Sequence, residues 1–596
     1  MSWLFDEIEK PISDWLPEAP PDLSGVQAIG FDTETDGLKW SRGNRPVGIS
    51  IYRPGEEQGI YLPWAHKGGG NLDEQVVKRW AQRELRGKHL VGANIKFDIH
   101  MMREWGIDLE DQGNTVTDVQ HHAALLDDSR RQFSMNVLNQ EFLGREKTGK
   151  DLPGERIHAY HSSIVAPRAM NDAKDSWDLG QVFAGKLSEQ DLGRVKQLED
   201  DVIYPTVEME KNGAVLDMEL LDRWVNLSEI ALTTALLDVH KIVGFVVNPR
   251  SSDDMCRLFH TRKIPIVHFT EKGAPSFDDG VLRTIDDPVV KKIRYAAKLS
   301  SLRSKFLVAY AEAVEEGGIL RYSLHQLRSD DGGTISGRFS CSHVNIQQVM
   351  DPGKQREAFG YHNEDDSHDD EIFIIRQLFI AASGLFMSAD ASQVEYRGFA
   401  HYSASPKILK VYQDNPNADF HNTVREMILR IRDITRKRTK DVNFALIFGA
   451  GKAKTAAMLN LPMADANVLV EAYHEAFPEA RALMRRAMHI AKHRGYVMTI
   501  TGRRSRFPEH HRLHKALNAV IQGTAADIAK QKSVELHRAR KQIGLTLRFP
   551  VHDEFVGDVV DLESKRMVQE LLNQQSFKMN VLILWDVKVG ANWKVC

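Results

Sequence analysis

Apolar and polar positions alternate differently in three stretches of the chain. In VQAIGFDTET, residues 26–35, an apolar run ends among carboxylates, the pattern of a strand, and VGISIYRP, residues 47–54, reads as its neighbour. Residues 1–195 therefore read as mixed α/β. From 196 to 330 the spacing turns helical: LEDDVIYPTVEMEKNG stops on Gly213, and VVKKIRYAAKLSSLRSKFLVAYAEAV carries a long amphipathic face, with loop signals in TEKGAPSFDDGVL between them. The third part opens near SDDGGTISGRFS and alternates strand-like segments such as LFMSADASQVEYR with basic helices. It closes on two β-leaning runs, 547–551 and 555–560, interrupted by His552, Asp553 and Glu554. The one compositionally biased segment, YHNEDDSHDDEIF at 361–373, reads as an acidic solvated loop.

At 596 residues the chain exceeds a single hydrophobic core, so an α/β multidomain protein is expected. A formal charge of −4 neither favours nor excludes a polyanionic partner, because a basic groove can sit on a mildly acidic protein. Cys256, Cys341 and Cys596 are far apart, which excludes a disulfide framework or a C-x-x-C zinc site and fits a reducing, cytoplasmic compartment. The acidic, proline-containing N-terminus is unlike a signal peptide. No run approaches the roughly 20 apolar residues that cross a bilayer.

Asp32 and Glu34 lie two apart at a strand end, so both project to one face. GANIKFDIH adds Asp98, and RAMNDAKDSWDL adds Asp172 on a helical segment. Four converging carboxylates repel one another unless divalent cations neutralise them, the arrangement of a two-metal phosphodiester-cleaving site with ions about 3.5–4 Å apart. Four unrelated surface acids fit the same spacing.

In RIRDITRKRTKDVNFALIFGAG, residues 430–451, Arg436, Lys440, Phe444 and Phe448 recur every four positions and share one helix face. Its positive charges crowd the N-terminal half, where they oppose the helix dipole unless an anion such as a nucleoside triphosphate binds. A solvated basic face over a packed Phe pair is the plainer reading. Asn518 and Gln522 lie four apart on a helix, and Arg338 occupies a polar loop; Arg and amide side chains suit contacts to phosphates and base edges. Asp390 ends an apolar strand, as Asp553 does. If those strands are neighbours, their carboxylates share a pair of Mg²⁺ ions; otherwise His552-Asp553-Glu554 is simply a hairpin tip.

The ordered set S-G-R-F-S, D-A-S-Q-V-E-Y-R, R-x-x-x-K-x-x-x-F, T-G-R-R, Q-G-T-A-A-D and V-H-D-E resembles family A DNA polymerases over essentially the whole chain. The segments around Asp32, Glu34, Asn94, Phe97, Asp98 and Asp172 resemble their DEDD-type 3′→5′ proofreading exonuclease, which has an RNase H-like fold. The resemblance implies an exonuclease domain at 1–195, a thumb at 196–330, a palm at 331–405 and 535–596, and fingers at 406–534. Asp390, Asp553 and the carbonyl of Ala391 would bind the polymerase metals, and Asp32, Glu34, Asp98 and Asp172 those of the exonuclease. Two Mg²⁺ per site are implied, with Mn²⁺ able to substitute. Arg436 and Lys440, the latter also catalytic, would hold the triphosphate, with His421 near it and Gln393 as a further substrate-binding residue. Phe444 would stack on the nucleotide, and Phe448, lacking the usual Tyr hydroxyl, would stand beside Glu395, the gate against ribose. Arg338 and Gln522 would read the minor groove, Asn518 would be a further substrate-binding residue, and His552 and the catalytic Glu554 would support the primer end. Ala391, Ala445, Pro550 and His514 also depart from the common residues.

One departure concerns the exonuclease: Arg168 replaces the Tyr that orients the attacking water, so a reduced or differently tuned activity is expected. Implied partners are primer–template DNA, deoxynucleoside triphosphates and a replisome helicase or primase. The compact length and the lack of a 5′-nuclease segment favour a phage origin, hence a host cytoplasm. A single-subunit RNA polymerase shares the two-Asp palm, but Glu395 and the exonuclease-like segments argue against it. A DNA-binding protein on a dead scaffold is opposed by the intact carboxylates.

Overall fold

The computed structural model describes residues 13–270, 272–360, 372–429 and 461–596, with 439, 440, 442, 443, 446 and 452–459. Arg436, Phe444, Ala445 and Phe448 lie outside the described residues, as does most of the acidic segment, 361–371.

The N-terminal unit is built on a five-stranded sheet. Strands β1 (Ala28–Thr35), β2 (Pro46–Tyr52), β3 (Ile60–Pro63), β4 (His89–Gly92) and β5 (Thr115–Asp118) stand in the order β3-β2-β1-β4-β5. The first three run antiparallel, whereas β4 and β5 run parallel to β1 and to each other. This is the mixed sheet expected of an RNase H-like domain. Central β1 is buried along both faces, so its sequence is nearly continuously apolar until the carboxylates at its end. Helix α1 (Ile95–Glu104) follows β4, and the long α2 (Ser162–Glu189) lies across β1 and β2. Gly30 permits that approach, because a Cβ there would stand 2.1 Å from the carbonyl oxygen of Ala173.

Helix α3 (Gly193–Asn212) ends on Gly213, at φ 58°, as the sequence suggests. It serves two cores at once: Ile203 and Val207 join the N-terminal core, while Leu198, Val202 and Met209 join the core of the rest. Next, α4 (Met218–Val243) and α5 (Pro288–Leu302) pack together. Each starts on an Asp cap, Asp217 accepting from the Leu220 amide and Asp287 from those of Val289 and Val290. The long amphipathic run is not one uniform helix: a π turn, Arg303–Leu307, separates α5 from a last stretch, Val308–Ala313.

The C-terminal part holds a second, antiparallel sheet. Strands β6 (Leu385–Ala391), β7 (Leu545–Val551), β8 (Glu554–Val559) and β9 (Trp585–Gly590) stand in the order β7-β8-β6-β9. Helix α6 (Val394–Ser403) leaves β6, α7 (Phe420–Leu429) follows, and α8 (Ala516–Ile543) packs on α3, α6 and β7. The described residues between α6 and the start of α8 contribute to a separate apolar core, which includes Phe420, Tyr473 and Phe477.

Between α3 and α8 lies a fully buried ion cluster. The carboxylate of Glu199 accepts from Lys530 Nζ at 2.6 Å and from Arg503 Nη2 at 2.5 Å, and Arg503 Nε donates to Asp527 at 2.8 Å. All four residues are at most 4% exposed.

Candidate functional site

Two groups of carboxylates are assembled, one on each sheet. In the first, β1 presents Asp32 and Glu34 on the same side, and α2 brings Asp172 against them. One oxygen from each of the three lies within 4.8 Å of the others, close enough to share a cation. Asp98 comes from the first turn of α1, whose start is fixed because Asp118 accepts from the amides of Asn94 and Ile95 at 3.2 Å. Its Oδ1 accepts from both the amide (2.9 Å) and the hydroxyl (2.6 Å) of Thr33. These residues line a cavity of about 180 Å³.

Burial and the repulsion of neighbouring carboxylates raise the pKa values of Asp32, Glu34 and Asp98. Burial followed by the negative charges of Asp98, Asp172 and Glu34 raises Asp32 well above the usual carboxylate range. Burial takes Asp98 to about 8, despite the Thr33 hydrogen bonds that oppose it. Burial also lifts Glu34 to about 7, with Arg168 pulling the other way. Glu34 Oε1 and Asp172 Oδ1 are buried without a hydrogen bond among the described residues, as a cation-binding pair would be. Two cations enter the same cavity. Arg168 Nε stands 3.4 Å from Glu34 Oε1 and 3.6 Å from Asp172 Oδ2, and Lys147 Nζ donates to Asp172 Oδ2 at 2.7 Å. Lys147 carries no sequence signal, since it reaches the site from a loop remote from every motif.

In the second group, β6 and β8 are direct neighbours, with Asp390 opposite Glu554. A two-residue turn, His552-Asp553, joins β7 to β8, and the Ala391 amide donates to the Asp553 carbonyl at 3.0 Å. The strand adjacency expected for Asp390 and Asp553 is therefore present. Asp390 is open at the rim, yet the protein wall around it, then the charges of Glu554 and Asp553, push its carboxyl up to about 7. A divalent cation bound by Asp390 would have to displace a proton below that pH. Affinity at this pair is expected to fall by up to about tenfold per pH unit between roughly 7 and 6. Calorimetry in buffers of differing ionisation enthalpy checks this, and an affinity flat across that interval contradicts it.

The remaining candidates fall into place unevenly. Arg338 Nη2 is 2.5 Å from Glu395 Oε1 and 3.4 Å from both Asp553 oxygens, so one guanidinium links two of the expected site acids. Glu554 does not face the open side. Its carboxylate accepts from Ser388 Oγ at 2.5 Å and Trp593 Nε1 at 2.7 Å, and Arg376 stands 3.3 Å away over the Trp593 ring. Gln393 is likewise committed, accepting from the Phe420 amide at 3.1 Å and donating to the Ala418 carbonyl at 3.4 Å. His421 is buried edge-on against Tyr396, with Asn443 at its Nδ1. Asn518 and Gln522 are half-buried one turn apart on α8, and Lys440 is exposed.

Each carboxylate group lies within a region that matches a known family. The model of DNA polymerase family A matches residues 221–595, and a 3′-5′ exonuclease model matches 13–174. DNA polymerase DpoZ of Acinetobacter phage SH-Ab 15497 is 28% identical over 567 residues, covering 86% of this chain and 87% of that protein. DNA polymerase I of Pseudomonas aeruginosa is 26% identical over 617 residues, covering 97% of this chain and 64% of that protein. The fold matches the solved POL domain of Pol1 from M. smegmatis with a TM-score of 0.79 and 21% identity, covering 96% of this chain and 97% of that one. Members of these families use divalent metals, which the donor set and the orphaned buried oxygens suit. Among the described residues no helix is long and apolar enough to cross a membrane. The chain belongs to DNA polymerase family A and carries a 3′-5′ exonuclease domain before its polymerase region.

Proposed function

We propose that Asp390 and Asp553, with the carbonyl of Ala391, hold two Mg²⁺ ions for polymerisation on a primer–template, and that Asp32, Glu34, Asp98 and Asp172 hold the metal of the exonuclease. The observation that carries this reading is the β6–β8 pairing, which sets Asp390, near the end of β6, beside the His552-Asp553 turn that enters β8 and so brings together two acids from remote parts of the chain. When bound, such metals lower the pKa of the attacking 3′-hydroxyl and neutralise charge on the departing pyrophosphate. The four-stranded sheet acts as the palm, residues 406–534 as fingers, and 196–330 as thumb.

The chain's own side chains have distinct tasks in this scheme. Arg338 leaves Asp553 and turns to the minor groove when DNA arrives, joined by Asn518 and Gln522 from α8. Glu395 then faces the sugar of the incoming deoxynucleotide and excludes a 2′-hydroxyl. Glu554, gripped by Ser388, Trp593 and Arg376, holds the His552-Asp553 turn in register rather than touching reactants. Gln393 likewise fixes the entry to α7, which carries His421. Lys440, together with Arg436, Phe444 and Phe448, receives the triphosphate and base. The phage relatives support a replicative role in a phage, within a host cytoplasm.

A 5′-labelled primer on a template tests both activities on one gel. With Mg²⁺ and deoxynucleotides the primer is expected to lengthen, and without nucleotides to shorten. Lengthening without shortening means that Arg168 has silenced the exonuclease; no lengthening sinks the polymerase assignment.

A further inference from the structure

The exonuclease cavity contains positive charge that its metals would otherwise supply. Lys147 Nζ occupies Asp172 Oδ2 at 2.7 Å, and Arg168 Nε lies between Glu34 Oε1 at 3.4 Å and Asp172 Oδ2 at 3.6 Å. Neither is a waving surface side chain, as they are only 19% and 16% exposed. Each is anchored from behind: the Lys147 amide donates to Asn136 Oδ1 at 3.1 Å, and Arg168 Nη1 donates to the Leu152 carbonyl at 2.9 Å. Gly149 packs so closely on Arg168 that a Cβ there would come within 2.9 Å of the Arg168 Cβ.

The free donor atoms tell the same story. Asp98 Oδ1 is taken twice by Thr33, and Asp172 Oδ2 is taken by Lys147. One oxygen each from Asp32, Glu34 and Asp172 converges within 4.8 Å, a donor set of the size one ion uses, and Asp172 Oδ1 is buried without a hydrogen bond. Charge agrees with geometry. Four carboxylates balance two divalent ions, whereas four carboxylates with one lysine and one arginine balance a single one.

On the reading that these carboxylates form the exonuclease centre, we propose that Lys147 and Arg168 replace one of its two metals, so that the site holds one divalent ion. Lys147 is the positioning residue that keeps Asp172 from a second ion. Arg168 contributes a fixed positive charge where the resemblance expects a tyrosine. That charge is always present, so it stabilises the anionic phosphate before and after cleavage and takes no proton from the attacking water.

The test counts ions rather than turnover. Full-length protein carrying Asp390→Asn and Asp553→Asn, to silence the polymerase carboxylates, is titrated with Mn²⁺ by calorimetry and electron paramagnetic resonance. One ion per chain with an uncoupled six-line spectrum is expected. Adding Lys147→Gln and Arg168→Tyr is expected to raise this to two ions with an exchange-coupled spectrum. Two coupled ions before those substitutions overturn the proposal and leave the exonuclease reading intact. One ion after them, in protein whose circular dichroism is unchanged, overturns the role of the two cations. No ion in either protein removes the exonuclease-centre reading, and this proposal with it. If the four-fold variant fails to fold, the count on the first protein and on Lys147→Gln alone decides the matter.

Discussion

Asp553→Ala is expected to lose primer extension by about a thousandfold or more, since a metal-bound carboxylate supports several kcal/mol of transition-state stabilisation and each ~1.4 kcal/mol is tenfold in rate. Binding of primer–template DNA is expected to stay within about tenfold, because that affinity rests on cationic contacts to phosphates rather than on an acid. The fold has little to lose. Asp553 sits at a two-residue turn, its side chain is 23% exposed, and its carboxylate makes only long contacts to Arg338, which keeps Glu395 as a closer partner. Rapid-quench single-turnover extension and filter binding, run on the same preparation, separate the two effects. Extension within tenfold of the parent would falsify the metal-ligand assignment. Collapse of DNA binding alongside extension would show instead that Asp553 organises Arg338.

The largest loss of stability is expected from Glu199→Ala. Burial alone would raise this carboxyl, but Lys530 and Arg503 outweigh it and hold it below its ordinary range. Burial in turn pushes Lys530 down to about 8, with Glu199 resisting. Removing the acid strands an ammonium that is wholly buried and strips Arg503 of one of its two carboxylates. Breaking a buried pair from one side costs about 3–5 kcal/mol, far more than an exposed bridge. A marked fall in the urea midpoint is the expected readout. Replacing Lys530 by Met in the same variant is expected to recover part of it, because the uncompensated charge disappears with the partner. A single-variant loss below about 1 kcal/mol would mean that water reaches the cluster and the burial argument fails.

Much of this architecture is written locally. Strand β1 announces itself through an apolar run ending in Asp32 and Glu34, α3 through its helical spacing and Gly213, and the closing hairpin through its two β-leaning runs. The hairpin was displaced by one residue: Glu554 belongs to β8, so the turn is His552-Asp553 alone, and Glu554 points to Trp593 and Ser388. No local pattern could give that orientation, because it depends on the C-terminal turn folding back under β6. Lys147 was equally invisible, since a loop lysine matters only once α2 has brought Asp172 beside it. The α5 run shows the reverse case. Its amphipathic face persists through Arg303–Leu307, so periodicity alone does not register a widened turn. The basic stretch at 430–451, the most informative part of the sequence, falls mainly outside the described residues.

Helix α3 lies between the two matched regions, 13–174 and 221–595, and within neither. It is nevertheless where both cores meet, and it carries Glu199 into the polymerase side. The family boundary is thus a poor place to cut. A fragment starting at 221 would inherit Lys530 without its counterion and an apolar scar where Leu198, Val202 and Met209 had been. The exonuclease and polymerase regions of this protein thus share one structural seam, and on the proposed assignment an exonuclease-free version for laboratory use is better made by substituting Asp32 or Asp172 than by truncation.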